Sequence, residues 1–96
     1  MNTKAKGSRN ELKAKRLLEA QGYDLVVKAG ASLGVFDLIA LGVDHDCVLL
    51  IQVKSNRRPG RIEMDRLGAF QCPRFCRKQV WVFRDRQPAP IIEEVT

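Results

Sequence analysis

Residues 35–55 read VFDLIALGVDHDCVLLIQVKS. Two apolar runs flank the polar stretch Asp44-His45-Asp46, the pattern of a β-hairpin. Three polar side chains interrupt the runs: Asp37 in the first, Gln52 and Lys54 near the end of the second. Period-two alternation puts Val48, Leu50, Gln52 and Lys54 on one face of the second run, and Cys47, Leu49, Ile51 and Val53 on the other. A turn symmetric about His45 sets Asp37 opposite Val53, which gathers Asp37, Gln52 and Lys54 at one end of the sheet. An acid, an amide and an amine grouped there make a candidate site. The plainer alternative is that Lys54 leaves the sheet into solvent and pairs with Asp37.

Residues 8–21 are rich in helix formers and are followed by Gly22, a natural C-terminal cap. Ser8-Arg9-Asn10-Glu11 matches the capping box S-x-x-E, in which the acid bonds back to the cap. Glu11 also shares a helical stripe with Ala14, Leu18 and Gln21, with Leu17 beside it, so a cap and a site ligand are both open to it. Strands are expected over 23–28, 35–42 and 47–54, and a second helix over 62–72, stopped by Pro73. The alternating KQVWVFR segment (78–84) reads as a further strand, and 91–95 as a short edge strand. The order α-β-β-β-α-β, with a last β, predicts an α/β fold with a mixed central sheet flanked by helices. A length of 96 residues fits a single domain over 1–96.

Composition excludes several classes. A hydrophobic fraction of 45% suits a folded chain. No apolar run is long enough to span a bilayer, and MNTKAKGSRNE lacks the apolar centre of a signal peptide, so the expected compartment is the cytoplasm, with no membrane partner. Three cysteines, Cys47, Cys72 and Cys76, form an odd set that argues against a disulfide framework. Zinc would need four converging ligands, and His45 is the one histidine available to join them. The net charge of +6 is uneven: residues 1–30 carry seven Lys/Arg against three acids, 31–60 carry three against three, and 61–96 carry seven against five. Basic flanks around a neutral centre fit an anionic polymer, with a merely solvated surface as the alternative.

Three stretches together resemble the PD-(D/E)xK nuclease superfamily, and within it the archaeal-type Holliday-junction resolvases. They are KGSRNELKAKRLLEAQGYDLV (6–26), the serine loop with VFDLIAL (32–41), and LLIQVKS (49–55). The resemblance implies a restriction-endonuclease-like core and a Mg²⁺ ion, for which Mn²⁺ could substitute, with no nucleotide cofactor. Asp37 would be the central metal ligand, helped by the backbone carbonyl of Val53 and the side chain of Gln52. Glu11 would hold the metal directly or through water. Lys54 would orient the attacking water and offset charge on the phosphate. Ser32 would contact the scissile strand, and Arg9 a phosphate. Three places depart from the commonest pattern: Phe36 stands where proline is usual, Gln52 where an acid is usual, and the part after Lys54 is compact and diverges. The amide removes one negative charge but keeps an oxygen that can bind Mg²⁺.

The expected activity is therefore metal-dependent hydrolysis of DNA at four-way junctions. A two-fold symmetric junction calls for paired cuts, hence a homodimer. Trp81, Phe83, Ile91 and Ile92 offer apolar surface for an interface, with a core role open to the two aromatics. Lys4, Lys6, Arg9, Arg57 and Arg58 are the candidate phosphate contacts. The alternatives are a related nuclease acting on linear, flap or damaged DNA, and a DNA-binding module inactivated by Gln52.

Overall fold

A computed structural model of the chain describes the backbone of residues 3–29 and 35–96, and the side chains of 7–29 and 35–96. Helix α1 (Thr3–Ala20) leads into β1 (Leu25–Lys28), β2 (Leu38–Leu41) and β3 (Val48–Ser55). Helix α2 (Arg61–Ala69) then precedes β4 (Cys76–Phe83) and β5 (Ile91–Val95). The five strands form one sheet in chain order, β1-β2-β3-β4-β5. All neighbours are antiparallel except β3 and β4, which run parallel across the α2 crossover. The mixed α/β architecture is the one expected.

Alternation along the central strands divides the core in two. Leu49 and Ile51 of β3, with Trp81 and Phe83 of β4, face α1 and pack with Ala14, Leu18, Val26, Leu38 and Ala40. Leu50, Val80 and Val82 face the other way and pack with Phe36, Val95 and Leu67 of α2. Leu67 is the fully buried residue of α2, and burying one leucine side chain contributes roughly 1.5–3 kcal/mol. Trp81 and Phe83 are core residues, 1% and 3% exposed, so they cannot form a subunit interface; Ile91 and Ile92 are exposed.

Three local expectations are corrected. Helix α1 begins at Thr3, five residues before Ser8, so Ser8-Arg9-Asn10-Glu11 is helix interior and not a capping box. Good helix formers at Lys4, Ala5 and Lys6 carry the helix through Gly7, which costs only about 1 kcal/mol relative to alanine. The buried stripe of α1 is Asn10, Ala14 and Leu18; Glu11 is half-buried at its edge and Gln21 is exposed. Finally, the hairpin register is one residue from symmetry about His45, since Leu38 pairs with Ile51. Within the connection, the His45 N–H donates to the Gly42 carbonyl at 3.1 Å, a turn whose corner is Val43-Asp44 and not Asp44-His45-Asp46.

The end of α1 follows the sequence. Gly22 has φ +93°, the Gly22 N–H donates to Glu19 O, and the Tyr23 N–H donates to Leu18 O. That pair of bonds is a Schellman cap, and a left-handed residue there suits glycine. The hairpin turn packs on this cap. The His45 ring stacks on Tyr23 with centroids 3.8 Å apart, and His45 Nε2 lies 2.9 Å from the Gln21 carbonyl. Gly42 lies beneath them, where an added Cβ would meet His45 at 2.7 Å and the Gly22 carbonyl at 2.9 Å.

Candidate functional site

Asp37 stands where β2 is about to begin. Its N–H donates to the Ile51 carbonyl at 2.8 Å and its carbonyl accepts from Ala29 N–H at 2.8 Å. Leu38 and Asp37 thus both address Ile51, the irregular step of a bulge, which frees the Asp37 side chain from strict alternation. Its Oδ2 accepts the Val53 N–H at 2.7 Å. A carboxylate therefore takes the place of a carbonyl in the ladder between β2 and β3. Burial pushes the Asp37 carboxyl above its ordinary value; the Val53 bond opposes this, and the negative charge of Glu11 adds to it. The charges of Lys54 and Lys28 pull it back down by smaller amounts.

Gln52 and Lys54 share the α2 face of β3, as alternation predicts. Neither bonds to Asp37. Both turn to Glu63, in the first turn of α2: Lys54 Nζ is 3.3 Å and Gln52 Nε2 is 3.4 Å from the same Glu63 Oε2. The other end of the amide, Gln52 Oε1, is buried and accepts no hydrogen bond among the described residues. Buried acceptors without a donor are uncommon and call for an explanation. Gln52, Glu63, Val35 and Arg66 line a polar cleft of about 230 Å³ at this point. The plainer reading of Lys54, an ion pair with Asp37, is replaced by an ion pair with Glu63.

Glu11 reaches the site from the α1 side of the sheet. Its carboxylate pairs with Lys28 Nζ at 3.4 Å, and it lines a cavity of about 280 Å³ with Ser8, Leu12, Lys15, Val26 and Leu38. The expected group is thus divided, with Glu11 on one side of the sheet and Gln52 and Lys54 on the other. Asp37 lies within electrostatic reach of both.

Among the described residues, no three His, Cys, Asp or Glu side chains converge as a metal site. The Asp37 carboxylate, the Gln52 amide oxygen and the Val53 carbonyl are hard oxygen donors at one end of the sheet, with Glu11 on its other side, and that chemistry suits Mg²⁺, which keeps several waters. The unpartnered Gln52 Oε1 is what such an ion would satisfy. Cys47, Cys72 and Cys76 are free thiols.

Of the candidate DNA contacts, Ser32 lies outside the described residues, as do the side chains of Lys4 and Lys6. Arg9 and Arg57 are exposed. Arg58 is exposed but engaged, with Nε and Nη2 each 2.6 Å from an oxygen of Glu93. Two buried or half-buried polar residues escaped the sequence reading. Asn10 Nδ2 donates to Ser55 Oγ at 2.5 Å and ties α1 to the end of β3. Glu63 carried no pattern of its own. Its relevance depends on α2 folding back over β3, although an acid in a first helical turn is a recognisable preference.

No helix among the described residues is long and apolar enough to cross a membrane. Comparison with protein-family models, with curated proteins and with solved structures finds no match to this chain.

Proposed function

We propose that the chain is a Mg²⁺-dependent endodeoxyribonuclease that resolves four-way DNA junctions as a homodimer. The observation that carries the reading is the buried Gln52 Oε1, without a donor among the described residues, on the strand that also bears Lys54 and the Val53 N–H bound by Asp37. Asp37, Gln52 Oε1 and the Val53 carbonyl would hold the ion, with Glu11, on the α1 side of the sheet, acting through water. When bound, the ion acidifies a coordinated water and neutralises phosphate charge. Asp37 brings a negative charge that burial disfavours and a cation would relieve. Lys54 offsets the charge that builds on the phosphate as water attacks phosphorus and the bond to the leaving oxygen breaks. The net charge of +6 favours a polyanionic substrate.

The test is a synthetic four-way junction beside a matched linear duplex, each with and without Mg²⁺, together with the measured mass of the free protein. Mg²⁺-dependent paired nicks in the junction and a dimeric mass are expected. Equal cutting of both substrates by a monomer moves the activity to a related nuclease. Binding without cutting, under any divalent ion, leaves a DNA-binding module and ends the catalytic reading.

A further inference from the structure

We infer that Glu63 is a positioning residue of this site, holding Lys54 by its ammonium and fixing which end of the Gln52 amide is offered to a cation. The inference rests on the metal-dependent reading above. A primary amide is nearly symmetric in shape, so the end it presents is decided by what the other end meets. An ionised carboxylate only accepts hydrogen bonds. Glu63 Oε2, 3.4 Å from Gln52 Nε2, therefore selects the NH2 end and leaves Oε1 as the buried oxygen without a donor among the described residues.

The same Glu63 oxygen lies 3.3 Å from Lys54 Nζ. Lysine has a long, freely rotating stem, and one fixed acceptor narrows where its charge sits. With side-chain exposures of 29% for Lys54 and 45% for Glu63, the pair is solvated enough to add little to stability. Its weight falls on position and charge. Strand β3 carries an amide at position 52, and α2 returns one negative charge to the same cleft. Glu63 itself sits in the first turn of α2, where exposed N–H groups favour a carboxylate.

Glu63→Gln tests this, because it keeps the size and removes the charge and the selection: a glutamine can satisfy either end of Gln52. Mn²⁺ affinity, followed by electron paramagnetic resonance of the free ion, should fall about tenfold, the lower end for groups that orient metal ligands. The side-chain NH2 signals of Gln52 in a ¹⁵N–¹H spectrum should move toward those of free glutamine, while the thermal midpoint stays near wild type. The double variant Gln52→Glu/Glu63→Gln moves the acid onto the strand and should recover Mn²⁺ binding. Unchanged Mn²⁺ affinity and unchanged Gln52 signals in Glu63→Gln would overturn the inference while the metal reading stands. A wild-type chain that takes up no Mn²⁺ would overturn the metal reading and this inference with it.

Discussion

Asp37 combines two demands on one side chain. Its Oδ2 closes the ladder to Val53, and its charge is held where burial disfavours it. The raised native value means that the folded chain keeps this proton more tightly than the unfolded chain does. As pH rises from the ordinary carboxylate value through the raised one, the unfolded state releases its proton first, and stability falls. Asp37→Asn keeps an oxygen for the Val53 N–H and removes the charge. Without divalent ions it should be more stable than wild type at pH 7, and the gain should vanish below the ordinary Asp range. Urea midpoints at pH 7 and pH 3 measure this; an equal difference at both would show that Asp37 carries no buried-charge penalty. The same variant should lose junction cleavage and keep DNA binding.

Helix α2 depends on its far end as much as on its buried leucine. Lys78, on β4, directs Nζ to the carbonyls of Leu67, Gly68 and Phe70 at 2.9, 3.0 and 3.1 Å. Three donors meet three carbonyls at the helix end, of which that of Leu67 also accepts the Phe70 N–H, at the end where a cation is favoured. Lys78→Met keeps much of the stem and removes the donors. It should cost about 1–3 kcal/mol in urea unfolding, with faster hydrogen exchange at the Phe70 N–H, which bonds back to Arg66 and Leu67. A stability change within error would show the carbonyls to be satisfied by water. At this scale the sequence was legible in kind and less so in detail. Alternation correctly put Gln52 and Lys54 on one face, because period two is a local property of the backbone. The register escaped it, because the hairpin connection is also held by the stacking of His45 on Tyr23, a contact between segments far apart in the chain. Helix α1 started early because nothing in Lys4-Ala5-Lys6 stops a helix. Glu63 was invisible for a related reason: its partners are set by where the crossover lands.

Taken whole, the molecule carries its excess charge unevenly, and some of it is already neutralised. Arg58 is matched by Glu93, and Arg77 bonds Glu94, whereas Arg57 is exposed. If DNA lies along the turn after β3, Arg57→Ala should flatten the slope of log K against log salt by about 0.9, one released counterion equivalent. Arg58→Ala should flatten it less, since its charge is shared with Glu93. Fluorescence anisotropy across a salt series separates the two; identical slopes in both variants and wild type would put the DNA on another surface. The strand order of the sheet has a separate bearing, on how the chain finds its fold. Because every strand lies beside its neighbour in sequence, most closures are short and entropically cheap. The three-strand meander that bears Asp37, Gln52 and Lys54 can assemble from local contacts. The longest connection between paired strands, from Ser55 to Cys76, must close before β4 can dock in parallel. The meander can form early from near-neighbour contacts, and the slow part of the search is left to the crossover that delivers Glu63.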